Sequence, residues 1–134
     1  MSTTTAPATA RTATKTRERV ATTSDGRMLC PRCAVADTPP RRMRGLLGRT
    51  GLETGEGLLI RPTNAIQMWF MRFPIDAVFL SKDGTVLRIA ADLQPWRMAA
   101  CRGARSVLEL RAGACAAHGL NVGDPIHLTA QAEA

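Results

Sequence analysis

The sequence predicts a mainly β (α+β) fold, namely a small antiparallel β-sandwich or partly closed barrel with one short covering helix. Several short apolar segments are separated by turns rich in Gly, Pro, Asn and Asp, and one segment has clear helical spacing. Residues 66–80 also hold four of the five Phe and Trp side chains. We therefore expect the rest of the domain to pack around this stretch.

The first 24 residues contain no Leu, Ile, Phe or Trp. They are rich in Thr and Ala, with scattered basic residues. Such a segment cannot bury enough apolar surface to offset its loss of entropy, so we predict a disordered basic tail at residues 1–24. A single β-rich domain is expected at residues 25–130, with a C-terminal tail at residues 131–134. No apolar run suits a secretory signal or a membrane span, which favours a soluble, cytoplasmic protein.

The first half of the domain is expected to contain two strands and the helix. Apolar residues favour a first strand over residues 26–35. An N-cap at Asp37 or Thr38, a proline in the first helical position and a glycine stop predict a helix over residues 39–47. A loop rich in Gly and Glu then leads into a short strand over residues 58–60.

The aromatic-rich stretch is predicted to form two strands that meet at Pro74. Residues 66–73 place apolar side chains on both faces, which is typical of a central strand. Pro74 cannot donate to a ladder, so we expect pairing to end there and a second strand to follow over residues 75–80. The turn sequence Ser-Lys-Asp-Gly then predicts an antiparallel hairpin with a strand over residues 86–89.

The remaining chain is predicted to close the domain. Residues 92–100 are irregular and contain a proline, so we expect a crossing segment in which Trp96 plugs one end of the core. Residues 106–110 predict a strand, and the Ala-rich residues 112–118 predict one or two helical turns. A last strand is expected over residues 126–129.

A formal net charge of +7 invites a nucleic-acid interpretation. Part of the surplus lies in the tail, and four arginines cluster in the predicted helix and its exit. The chain has no Tyr, and its Phe and Trp are predicted to lie mainly in a buried strand. This leaves no stacking platform of the kind that single-strand binders use, which argues against a nucleic-acid partner.

The four cysteines permit three interpretations. Cys30 and Cys33 match a redox motif, but in a strand they would point to opposite faces. A zinc site could add Cys101 and Cys115, although these two lie fourteen residues apart. Reduced, semi-buried thiols are the favoured interpretation, and we predict neither a metal nor a cofactor.

A candidate ligand site is predicted at the end of the sheet near Pro74. Its members combine cationic, acidic and apolar side chains: Arg44, Trp69, Met71, Arg72, Asp76, Trp96 and Glu109. Arg72 precedes the proline and Asp76 follows it, so both side chains could reach one spot. Arginine offers donors that fit carboxylate or phosphate oxygens, and apolar walls with few polar groups are typical of small-ligand sites. The alternative is a structural ion pair that joins Asp76 to Arg72 or Arg44.

Three functions remain open on this basis. The first is a non-enzymatic binding or accessory module that takes a small anionic ligand or a protein partner at the Arg72/Asp76 end. The second is a hydrolase or isomerase that uses Asp76 and Glu109 as acid and base. The third is a nucleic-acid-associated protein that uses the basic tail and the helix. We prefer the first.

Five blocks of sequence occur in the order that a known family shows. They are Arg44-Gly45-Leu46-Leu47-Gly48-Arg49, Gly55-Glu56-Gly57-Leu58-Leu59, Phe70-Met71-Arg72-Phe73-Pro74-Ile75-Asp76-Ala77-Val78-Phe79-Leu80, Val107-Leu108-Glu109-Leu110 with Ala112-Gly113, and Gly123-Asp124. Over residues 26–128 the chain resembles the bacterial and archaeal family called domain of unknown function 192. The resemblance implies a small β-sandwich or barrel with one helix, and no established biochemical role. Gln67-Met68 stands where many bacterial members have His-Thr, so a mechanism that needs this histidine fails here.

Overall fold

A computed structural model describes residues 17–23, 25–38, 46 and 49–130. These residues form nine strands and one short helix, α1. The strands are β1 Arg17–Thr23, β2 Met28–Ala36, β3 Glu56–Ile60, β4 Ala65–Gln67, β5 Ile75–Leu80, β6 Val86–Leu93, β7 Met98–Ala100, β8 Ser106–Arg111 and β9 Ile126–Ala130. The helix α1 comprises Ala114–Ala117.

Seven strands form one curled sheet in the order β6-β5-β8-β3-β2-β1-β9. Neighbouring strands pair antiparallel, except that β2 and β3 are parallel. The ends of the sheet approach each other at one corner, where the Val86 amide donates to the Asp124 carbonyl at 2.8 Å. The sheet is a half-barrel, which confirms the predicted mainly β class. The predicted strands on either side of the Ser-Lys-Asp-Gly turn are also present, as β5 and β6.

Apolar clusters cover both faces of the curled sheet. Val78 and Leu80 of β5 belong to one cluster, which Cys115 of α1 helps to close. Ala77 and Phe79 of the same strand belong to a second cluster on the other face. Because both faces are covered, all six residues of β5 are buried.

A small two-stranded sheet covers the second cluster. Its strands β4 and β7 pair antiparallel, with Ile66 opposite Ala99 and Gln67 opposite Met98. Ile66 and Ala99 point inward and join the second cluster, whereas Gln67 and Met98 are exposed. We define the cap as residues 61–73 and 94–105, which comprise β4, β7 and the turns at their ends.

The prediction of a central strand over residues 66–73 is wrong. Only its first two residues lie in a strand, and residues 68–74 form turns and bends. Trp69 and Phe70 are exposed, and so is Trp96, which was expected to plug the core. Apolar side chains on both faces of a segment are typical of a central strand, but they do not prove that both faces are covered.

The predicted boundary of the N-terminal tail is also too late. Residues 17–23 form β1, which pairs with β2 on one side and with β9 on the other. Backbone pairing with both neighbours holds β1 in the sheet, so the strand needs little apolar surface beyond the buried Ala21. The predicted helix over residues 39–47 lies outside the described residues, apart from the buried Leu46.

Cys30 and Cys33 share one apolar cluster, so the expectation that they point to opposite faces is wrong. Arg19 pairs with Cys33 and Ala21 with Cys30, so one residue of β1 lies between these pairs and two residues of β2 do. This register shift is a β-bulge, and the extra residue returns the second cysteine to the face of the first. The four cysteines form no disulfide bond.

Candidate functional site: an exposed aromatic cap

Two back-to-back turns form the outer end of the cap. The first spans residues 68–71, where the Met71 amide donates to the Met68 carbonyl at 3.3 Å. The second spans residues 94–97, where the Arg97 amide donates to the Gln94 carbonyl at 3.3 Å. Met68 joins the turns, because its amide donates to the Arg97 carbonyl at 2.7 Å and its carbonyl accepts the Trp96 amide at 2.8 Å. The buried Met68 side chain anchors this pair of turns on the second cluster.

Each turn holds a bulky aromatic residue in a left-handed backbone conformation. Phe70 has φ 67° and Trp96 has φ 68°, and each is the third residue of its turn. A positive φ at this position, with proline before it as in Pro95-Trp96, is the pattern of a type II turn. Glycine or asparagine normally takes that position because a side chain with a Cβ strains it. Backbone strain of this kind concentrates at functional sites.

The two turns bring three aromatic rings together at the surface. The Trp69 and Trp96 ring centroids lie 6.1 Å apart, and those of Phe70 and Trp96 lie 4.8 Å apart. These separations are typical of tilted aromatic pairs. The exposed fractions are 39% for Trp69, 72% for Phe70 and 55% for Trp96. We call these three residues the aromatic patch.

The cap is strongly basic. It carries five arginines and no Lys, Asp or Glu, a net charge of +5 out of +7 for the whole chain. Arg97 follows Trp96 directly, and Arg72 lies two residues after Phe70. Both side chains are exposed, and within the described part of the chain neither makes an ion pair or a hydrogen bond.

Asp76 does not reach this surface, so its predicted pairing with Arg72 is wrong. Its side chain is buried and accepts two backbone hydrogen bonds, from the Asp92 amide at 2.9 Å and the Cys115 amide at 3.0 Å. The second of these ties the start of α1 to β5. Asp76 therefore acts as a structural acceptor inside the half-barrel, whereas Arg72 extends into solvent.

Glu109 lies on the opposite face of the sheet from Asp76. Across the sheet, Glu109 pairs with Ala77 of β5, and Asp76 pairs with Leu110. Successive residues of a strand point to opposite faces. Ala77 and Leu110 accordingly belong to different apolar clusters. The prediction that the two carboxyls act as acid and base on one substrate is therefore wrong.

Burial dominates the chemistry of Glu109. Its side chain is almost fully buried, and desolvation raises its pKa from 4.5 to about 8. Burial disfavours the charged form because a carboxylate loses its hydration in an apolar surrounding. Within the described residues, no cation offsets this effect. Glu109 is a buried acid of the core.

The predicted site residues thus separate into three groups. Trp69, Trp96 and Arg72 lie in the exposed turns of the cap, and the half-buried Met71 packs beneath them on the second cluster. Asp76 and Glu109 are buried in the sheet, and Arg44 lies outside the described residues.

Phe70 and Arg97 were missed by the sequence prediction. Phe70 was assigned to a buried strand, and Arg97 was not considered. Two signals were available for them. Residues 61–73 and 94–105 contain no acidic side chain, and Pro95 marks a turn in the second of these segments.

A concave surface separate from the cap lies between α1 and the loop before β3. This cleft has a volume of about 280 Å³, and its polar lining includes Thr54, Glu56, Arg111 and His118. Most of these groups already have partners, since Arg111 donates to Thr54 at 2.7 Å and Arg49 donates to Glu56 at 2.9 Å. The hydrogen bond from the Glu53 amide, followed by the hydrogen bond and the ion pair with Arg49, holds the pKa of Glu56 below its usual value. The cleft is therefore a weaker candidate than the cap.

The described residues contain neither a metal-binding cluster nor a membrane-spanning helix. No group of three or more His, Cys, Asp or Glu side chains there could hold a metal ion. No helix in the same residues is long and apolar enough to cross a bilayer.

Two crystal structures are similar to this fold. One is a protein of unknown function from Novosphingobium aromaticivorans, with 28% sequence identity, a TM-score of 0.72 and coverage of 84% of both chains. The other comes from Sinorhizobium meliloti and is named a "putative transcription regulator". It has 27% identity and a TM-score of 0.71, covering 84% of this chain and 93% of its own. Among curated proteins no sequence matches. The model of the DUF192 family, described as uncharacterized ACR, matches residues 20–128.

Proposed function

The chain belongs to the DUF192 family, and we propose that it is a non-enzymatic binding module whose cap holds an anionic partner carrying flat or apolar groups. The observation that supports this proposal most strongly is the aromatic patch. Three large rings are held together at the surface, two of them in backbone conformations that glycine would adopt with less strain. Stability alone does not favour Phe and Trp at these positions, whereas contact with a partner does.

The positive charge of the cap supports an anionic group on the partner. The exposed Arg72 and Arg97 lie close to the ring-bearing residues in sequence, and a guanidinium fits carboxylate, sulfate or phosphate oxygens through paired hydrogen bonds. Trp, Phe, Met and Arg are also the residues enriched at binding interfaces. The similar protein from Sinorhizobium meliloti is named as a regulator, and a protein in a regulatory role would need a surface that binds a partner.

A pair of small fluorescent probes tests the proposal. Anilinonaphthalenesulfonate joins flat rings to a sulfonate, and N-phenylnaphthylamine has the same rings without the anion. We expect the folded protein to bind the sulfonate more tightly than the neutral probe. Trp96→Ala should weaken both, and Arg97→Gln should weaken only the sulfonate.

Matched controls exist elsewhere on the surface. Val122 is an exposed apolar residue outside the cap, and Lys82 is an exposed cation at the β5–β6 turn. Val122→Ser and Lys82→Gln should leave both affinities unchanged. Equal binding of the two probes, or weakening by the control substitutions as large as that by the cap substitutions, would contradict the proposal.

A further inference from the structure

We infer that the anionic partner of the cap is a single strand of nucleic acid, an inference that rests on the proposed function and names its ligand. Two separate properties of the cap lead to it, namely exposed rings for bases and arginines for phosphates. The sequence pattern predicted a buried strand for most of the Phe and Trp residues, and this prediction disfavoured a nucleic-acid partner. The exposed positions of Trp69, Phe70 and Trp96 remove that objection.

The aromatic patch matches the first requirement of single-strand recognition. Proteins of this type stack unpaired bases on exposed aromatic rings, and two or three rings on one surface hold two or three bases. The patch offers three rings within 6.1 Å of a neighbouring ring. Bases in a duplex are stacked on each other and cannot lie on these rings, so the patch selects single strands.

The arginines of the cap match the second requirement. Five arginines without an acidic residue give the cap a net charge of +5, which complements a chain of phosphates. All five cations are arginine, the residue that pairs with phosphate through two hydrogen bonds and also stacks on bases. The acidic residue closest in sequence, Asp92, precedes the second segment of the cap by two positions.

Fluorescence anisotropy with labelled oligonucleotides tests the inference on the full chain. The probes are a ten-nucleotide oligothymidylate, the oligouridylate of equal length and the oligothymidylate in duplex with oligoadenylate. We expect both single strands to bind at least about tenfold more tightly than the duplex, because the stacking contribution is lost when bases are paired. The DNA and RNA strands share the relevant chemistry, and their relative affinity tells which of the two the cap prefers.

Substitutions in the cap separate stacking from charge. Trp96→Ala should weaken single-strand binding between about 5-fold and 100-fold, in line with the loss of one stacked base. Arg97→Gln should reduce the dependence of log K on log salt concentration by about 0.7, the value for one phosphate contact on a single strand. Phe70→Gly relaxes a strained position, so it tests the loss of a ring in a chain that still folds. Val122→Ser and Lys82→Gln should change neither quantity.

Heparin and polyglutamate, used as competitors, complete the test, since they carry charge without bases. Tighter binding of polyglutamate than of the oligonucleotides would assign the cap to an acidic protein segment and overturn the inference. Equal binding of single strand, duplex and heparin, unaffected by Trp96→Ala, would also overturn it, because the basic tail alone would explain such binding.

The anilinonaphthalenesulfonate titration separates this inference from the proposed function. If that probe binds the cap and the oligonucleotides do not, the nucleic-acid assignment fails and the binding module stands. If neither probe binds, both fail.

Discussion

Pro74 separates two apolar segments that look alike in sequence and have opposite positions in the fold. Residues 75–80 form β5, whose side chains are all buried between two apolar clusters. Residues 66–73 form one short strand and a turn, and two of their aromatic rings are exposed. The first segment is scaffold. The second, together with Trp96, forms the surface that we propose for binding. The comparison shows that apolar composition alone does not distinguish a core from a binding surface.

The largest expected effect lies in the buried segment. Phe79→Ala should lower the free energy of unfolding by about 3 to 5 kcal/mol, because it leaves a cavity in the second cluster. Denaturant unfolding measures the loss. Phe70→Ala is the matched control in the exposed segment, and its expected change is within about 0.5 kcal/mol. Similar losses for the two substitutions would abolish the distinction between the segments.

Asp76 provides a test of the polar part of the scaffold. Asp76→Ala removes the acceptor of the Asp92 and Cys115 amides. Leaving the Cys115 amide unsatisfied in a buried position and the Asp92 amide in a partly buried one should cost about 2 to 4 kcal/mol. Asp76→Asn keeps one acceptor oxygen and should lose less. If instead Asp76→Ala unfolds at the same denaturant concentration as the wild type, Asp76 is not the acceptor that fixes α1 to the sheet.

Glu109 predicts how the stability of the scaffold depends on pH. Its pKa is about 8 in the folded state, whereas the unfolded chain releases the proton near pH 4.5. The contribution of protonated Glu109 is therefore complete below pH 4.5 and is lost as pH rises to about 8, by up to about 1.4 kcal/mol per pH unit. Glu109→Gln has no proton to lose, so its stability relative to the wild type should increase between pH 5 and pH 8.

Thermal melts of both proteins across that pH range measure the difference. Glu53→Gln, at an exposed carboxyl, serves as the control for removal of an acid. A constant difference between wild type and Glu109→Gln from pH 5 to pH 8 would show that Glu109 does not hold its proton in the core.

The smallest expected effect lies in the aromatic patch and has the opposite sign. Phe70→Gly removes the backbone strain of the positive φ of 67° in the folded state. It also makes the unfolded chain more flexible, which offsets part of this gain. The free energy of unfolding should stay constant or rise by up to about 1 kcal/mol. Differential scanning calorimetry resolves this change. A loss of more than 1 kcal/mol would mean that Phe70 stabilises the fold and is not retained for binding.

The sequence predicted the elements whose local pattern determines them. The Ser-Lys-Asp-Gly turn indicated the β5–β6 hairpin, and the Ala-rich residues before Gly119 indicated α1. The pairing of β1 with β2 and β9 could not be predicted, because Val20 and Ala21 are its only apolar residues and the strand has no apolar alternation to reveal it. The prediction that Cys30 and Cys33 point to opposite faces was wrong for a similar reason, since the bulge in β2 depends on its partner strand β1.

The candidate site was predicted in part. Trp69 and Trp96 were both named, and the structure brings their rings together although 27 residues separate them. The exposure of the rings could not be predicted, because it depends on two turns that the Met68 backbone joins through long-range hydrogen bonds. Asp76 was named for its proximity to Pro74 in sequence and Glu109 as its possible acid–base partner, whereas the face on which each lies is set by strand register.

Trp69 and Trp96 are the only tryptophans of the chain, so its indole fluorescence reports on the cap alone. Acrylamide quenching of the folded protein, with Trp69→Phe and Trp96→Phe to separate the two signals, therefore tests the exposed aromatic surface most directly. We expect red-shifted emission and a quenching constant for Trp96 close to that of the urea-denatured chain. Blue-shifted emission that acrylamide does not quench would place the rings in the core and contradict the account.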